Sequence, residues 1–144
     1  MKLQSMLGLA VVAGLMASCG GGLATTYRGS LTSSSTSNGN TATSTTTGES
    51  ITVYTGGENG ALLVDIGSGF VLTMTKSGDT LTAAAGQSIS STSSNSTSTT
   101  SITSGTGTQN ASGLSLTING TRSDTGGGQT QNSTFTMSFT GTKQ

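Results

Sequence analysis

The chain has no histidine, no tryptophan and no proline, only one cysteine, and few charges, with five Lys/Arg and five Asp/Glu in 144 residues. Each shortage removes a class of function. Without imidazole there is no Ser-His or Cys-His pair for nucleophilic catalysis, and no histidine to hold a metal. A lone cysteine cannot close an internal disulfide, and it cannot build the usual zinc or copper sites by itself. A sparse, balanced charge set with no basic cluster leaves no electrostatic footprint for nucleic acid. It also lacks a polybasic stretch to grip anionic lipid. With two Tyr and three Phe as the only aromatics, any core must be thin.

What is present begins with an address. Lys2 precedes an apolar run from Met6 to Ala17, which ends in Met16-Ala17-Ser18-Cys19-Gly20. A basic start, an apolar stretch and small residues before a cleavage point are the three parts of a secretory signal. The run is too short for a permanent transmembrane helix, which needs about 20 residues. Small-small-Cys at the end of such a signal resembles the lipobox of bacterial lipoproteins, over roughly residues 1–22. That resemblance implies a diacylglyceryl thioether on Cys19 and cleavage just before it. Ala17 and Ser18 supply the small residues that the peptidase requires; Met16 stands where Leu is commonest. It further implies stable membrane anchoring, since a mature lipoprotein carries two or three acyl chains. Gly20 rather than Asp after the cysteine resembles the outer-membrane pattern. Residues 1–18 are therefore expected as a signal helix, 19–25 as an acylated cysteine with a flexible Gly-rich tether, and 26–144 as one domain.

From Cys19 onward, Ser and Thr make up 53 of 126 residues. Such a composition permits a largely disordered stalk. Against that, the proline usual in mucin-like stalks is missing, Thr suits a pleated strand, and the apolar residues alternate. Tyr27, Gly29 and Leu31 share one face of a strand, and Asn38-Gly39 is a favoured hairpin dipeptide. Ile51 and Val53 follow, then a loop at 56–60. Leu62, Val64 and Ile66, then Phe70, Leu72 and Met74, then Leu81, Ala83 and Ala85 form three strands with short turns, an antiparallel meander. Residues 88–98 are expected as a long exposed loop, Thr100 to Ser104 as a weak strand, and Arg122 to Thr130 as another loop. Leu114, Leu116 and Ile118, and finally Phe135, Met137 and Phe139, complete the pattern. Eight or nine strands with no helix after the signal read as an all-β fold: an antiparallel meander in a closed or nearly closed barrel, with a β-sandwich as the alternative. The first and last strands each carry a Gly and would be neighbours in a closed meander. The topology is similar to that of lipocalin-like up-and-down barrels, although the Gly-x-Trp signature is absent.

No residue set points to catalysis. Glu49, Glu58 and Asp65 suit solvated positions better than a converging carboxylate pair. The Gly-rich pieces at 56–60, 105–107 and 126–128 open no helix, so a phosphate loop is not expected. Asp124 alone does not make a calcium site. Thr73 and Lys76 fall on opposite faces of a strand. The four Asn-x-Ser/Thr matches at Asn95, Asn110, Asn119 and Asn132 are what chance produces in so Ser/Thr-rich a protein. Phe70, Phe135 and Phe139 suit plain core, or the lining of a barrel able to take an apolar ligand. The expectation is a non-enzymatic protein with no cofactor and no metal, whose partner is the membrane through acyl chains on Cys19. Its domain would serve as a structural or interaction module, with an apolar-ligand carrier or a disordered stalk as the alternatives.

Overall fold

Alternation, hairpin turns and β-branched residues set up strands along almost the whole chain. In the computed structural model, which describes residues 22–67 and 69–144, those strands form one antiparallel sheet. They are β1 (Ala24–Ser37), β2 (Asn40–Tyr54), β3 (Leu62–Asp65), β4 (Val71–Ser77), β5 (Thr80–Ala83), β6 (Ser88–Ser93), β7 (Ser96–Gln109), β8 (Gly113–Gly126) and β9 (Gln129–Lys143). The only helical element among the described residues is a single 3-10 turn, Glu58–Gly60. Met16, Ala17, Ser18, Cys19 and Gly20, and with them the expected signal helix, lie outside the described residues.

The sheet order is β5-β4-β3-β2-β1-β9-β8-β7-β6, and β5 also pairs with β7. That second pairing closes a ring of eight strands and leaves β6 as an appendage. The expected neighbours meet, with Gly29 of β1 opposite Gly141 of β9. A Cβ on Gly29 would sit on the Thr140 carbonyl oxygen, and one on Gly141 would enter the Phe139 ring. The two strands approach this closely only because both positions are glycine.

Among the described residues, sixteen buried ones line the ring as one cluster, drawn from every strand except β6. Val64, Leu72, Met74, Leu81 and Ile118 are wholly buried, and there is no buried polar or charged residue among those described. The inward positions are ones that the alternation marked, Leu62 and Val64, Leu72 and Met74, Leu81 and Ala83, Leu114 to Ile118, Met137 and Phe139, whereas Ala85, expected to continue the third of these strands, lies past the end of β5 and is exposed. Burial of these side chains from water is the main term holding the ring together.

Three further expectations are corrected. The stretch 88–98 is not a long loop, because β6 and the start of β7 form a hairpin there, with Ser93 opposite Ser96. Nor is Arg122 to Thr130 a loop: β8 and β9 stay paired until Gly126 meets Gln129, and only Gly127 and Gly128 turn. Gly105 and Gly107 lie inside β7, on its core-facing side. Across both stretches expected as loops, backbone pairing continues where apolar content stops, since a ladder needs no apolar face once its neighbours fix the register. β1 also starts at Ala24, two residues inside the span expected as tether.

Candidate interaction surface

Strand lengths divide the domain into two halves. Five strands run 14 or 15 residues, whereas β3 and β4 have only four and seven. β5 and β6 together act as one more long strand, because both pair with β7 on the same side. The break between them is bridged by hydrogen bonds from Gly86 N to Ile102 O (2.9 Å) and from Ile102 N to Gln87 O (2.8 Å). The Gln87 amide stands in for the missing ladder: its Oε1 accepts from Thr73 N at 2.7 Å, and its Nε2 donates to Thr73 O at 2.9 Å.

The short β3 and β4 complete the ring only at one end. β2 pairs with β3 at Thr52 to Tyr54 alone. Beyond that level, Asn40 to Ile51 of β2 and Ser88 to Ser93 of β6 have no partner on their outer edges among the described residues. One end is thus a closed ring filled by the core, and the other a six-stranded open sheet in the order β2-β1-β9-β8-β7-β6. Gly22 and Leu23 lie at the closed end, where Leu23 N donates to Thr55 Oγ1 at 2.9 Å and Thr55 N to Leu23 O at 3.0 Å. A 14-residue strand spans about 45 Å, so the far tip of the open half is remote from Gly22 and Leu23.

Residues opposite each other in an antiparallel pair share a face, so the register shows where the hydroxyls go. Outside the ring they form rows. One runs Thr41, Thr36, Thr134, Thr121, Ser101 and Ser88 across all six strands. Another runs Thr45, Thr32, Ser138, Thr117, Thr106, Thr82 and Thr75. Neighbours within rows share hydrogen bonds: Thr36 with Thr41 at 2.8 Å, Thr32 with Thr45 at 3.0 Å, Ser90 with Thr99 at 2.8 Å. Asn119 links three strands, with Oδ1 accepting from Thr136 Oγ1 at 2.8 Å and Nδ2 donating to Ser104 Oγ at 3.1 Å.

On this hydroxyl-bearing face of the open half lie two shallow depressions of about 500 and 250 Å³. The walls of the larger include Thr36, Thr99, Ser101, Thr121, Asn132 and Thr134. Both are lined mainly by uncharged donors and acceptors, with Arg122 the one charged residue of the larger and Phe135 the one aromatic of the smaller, and neither holds a carboxylate to activate a hydroxyl. Arg122, at the rim, bonds to Asp124 at 2.9 Å in an exposed ion pair. No family model, curated protein or solved structure matches this sequence.

The carboxylates singled out in the sequence do not converge. Asp65 Oδ1 accepts from Gly67 N at 2.9 Å within a turn, Asp124 pairs with Arg122, and Glu58 opens the 3-10 turn. Among the described residues, no group of three or more Cys, Asp or Glu could hold a metal ion, and no helix is long and apolar enough to cross a membrane. Phe70 and Phe139 belong to the buried cluster, and Phe135 packs against it from the boundary with the open half. Sequence reasoning missed a polar tie across the closed end: Lys76 Nζ donates to Gln109 Oε1 at 3.1 Å, and Gln109 Nε2 to the Tyr27 hydroxyl at 2.9 Å. Only the polar tip of an otherwise buried Tyr27 hinted at it.

Proposed function

We propose that this protein is a lipid-anchored bacterial envelope protein, destined for the outer membrane, whose β domain is a non-catalytic interaction or structural module. The lipobox-like Met16-Ala17-Ser18-Cys19-Gly20 carries the address. The observation that carries the module is the division of the domain: a closed, filled end beside the N-terminal approach, and an open, hydroxyl-covered sheet at the other. An anchor on Cys19 would hold the closed end near the bilayer and present the open half, with its rows of Ser and Thr and its two free edges, away from it. Unpaired strand edges are a standard route for pairing with another polypeptide.

The packed interior favours this reading over an apolar-ligand carrier. Val64, Leu72, Met74 and Ile118 occupy the space inside the ring that a ligand would need. Strand pairing along both Ser/Thr-rich stretches favours a folded module over a disordered stalk.

Two measurements test the proposal. Radiolabelled palmitate should enter the wild type in a bacterial host but not Cys19→Ala; no label in either would remove the anchor. An apolar fluorescent probe titrated into the purified protein should show no saturable binding. Saturable binding at one site would replace the module with the carrier.

A further inference from the structure

Three Asn-Gly pairs occur in the sequence, and the fold treats them differently. Asn38-Gly39 forms the β1–β2 turn at the tip of the open half; both residues are exposed, with φ of 51° and 76°. Asn59-Gly60 lies in the loop of the closed end, again exposed, with φ of 56° and 77°. Around both glycines there is open space, with nothing near where a Cβ would sit. Asn119-Gly120 lies in the middle of β8, where Gly120 is buried and paired on both sides, with Phe135 and with Ile102. Both amide atoms of Asn119 are engaged, by Thr136 and Ser104.

We propose that Asn38 and Asn59 are sites of spontaneous deamidation in the folded protein, and that the strand protects Asn119. The backbone nitrogen of the following glycine attacks Cγ, the carbonyl carbon of the Asn amide. A bond forms between that nitrogen and Cγ, the Cγ–Nδ2 bond breaks, and ammonia leaves, taking up the proton that the glycine amide gives up. Water then opens the cyclic imide at either carbonyl to give aspartate or isoaspartate, so the net change is water in and ammonia out. The attack requires the backbone to rotate out of its folded conformation and the glycine nitrogen to be unhindered. Glycine, lacking a Cβ, puts no side-chain hindrance beside that nitrogen in any of the three pairs; the one loop bond that Gly60 N makes, to Gly57 O at 3.3 Å, opens with the exposed turn. Rotation is what separates them: an exposed turn opens locally at little cost, whereas a central strand must give up its ladder bonds and the partners of its side chains.

The products matter to the domain. From Cys19 onward the charged residues are Arg28, Lys76, Arg122 and Lys143 against Glu49, Glu58, Asp65, Asp79 and Asp124, a net of −1; two conversions make it −3. An isoaspartate at position 38 also lengthens the backbone within a two-residue turn that sets the β1–β2 register. Ageing at that site would therefore act on the open half.

The test is incubation of the purified full-length protein at mildly alkaline pH, followed by peptide mapping in a mass spectrometer. Peptides containing Asn38 and Asn59 should gain the mass of NH₂ replaced by OH and split into aspartate and isoaspartate forms. The Asn119 peptide should convert more slowly by a factor of about ten or more, and should catch up when the same incubation is done in urea, which removes the local stability that protects it. Conversion of Asn119 at the rate of the other two in the folded protein would overturn the proposal. So would folded protein in which neither Asn38 nor Asn59 converts while all three do in urea.

Discussion

Ile118 is fully buried at the centre of β8, opposite Met137 on one side and Gly105 on the other. Ile118→Ala removes three carbons, about 2.4 kcal/mol of transfer free energy at roughly 0.8 per buried methylene. The cavity adds to that, because Gly105 has no side group that could move in, and the total should fall at about 3–4 kcal/mol within the usual range of about 2–5. For a domain with about 5–15 kcal/mol in all, that is a large fraction. The geometry allows a sharper check. A Cβ on Gly105 would lie 2.7 Å from Ala83 Cβ and 2.9 Å from Ile118 Cδ1. Gly105→Ala alone should therefore cost about 1–3 kcal/mol through overpacking, but less in the Ile118→Ala background, where one of the two close contacts is gone. Urea unfolding of the four proteins gives the cycle. A cost below about 1 kcal/mol for Ile118→Ala, or strict additivity with Gly105→Ala, would refute the packing argument.

Further outcomes follow from other contacts. Tyr27→Phe leaves Gln109 without its acceptor and should destabilise by about 1 kcal/mol, read by the same unfolding experiment. Gly29→Ala should be among the most damaging single-methyl changes, because the new Cβ meets the Thr140 backbone at the β1–β9 seam; soluble yield and midpoint report it. Arg122→Ala should move stability by no more than about 0.5 kcal/mol, since its ion pair with Asp124 is solvent-exposed. Amide hydrogen exchange should separate the halves, with protection highest at Val64, Leu72 and Ile118 and lowest at the free edges of β2 and β6.

The closed half was legible because its strands alternate apolar with polar residues. Leu62-Val64, Leu72-Met74 and Leu114-Ile118 each declare a face, and each face is buried as read. The open half was not legible in the same way. Ser90, Thr92, Thr97 and Thr99 look alike from either side, so period two carries no signal there, and the low-complexity run passed for a loop. What makes it sheet is its neighbours: β7 and β8 extend their ladder past the core, from Ile102 opposite Gly120 to Ser96 opposite Gly126. The polar tie through Gln109 was invisible for a related reason. It joins residues 33 and 82 positions apart, and nothing local to any of the three requires the others.

By itself the sequence determined the inventory and the local rules. It excludes imidazole chemistry and internal disulfides, it places a turn at Asn38-Gly39 and short turns between the strands of the meander, and it marks which side of each apolar strand faces inward. These depend on single residues and near neighbours. Only the tertiary structure decided that β5 turns to pair with β7, that β3 and β4 stop short, and that hydroxyls line up in rows across six and seven strands on the outside of the sheet. Those outcomes depend on strand lengths and long-range register, where the energy resides in pairings between distant segments that look interchangeable when read one at a time.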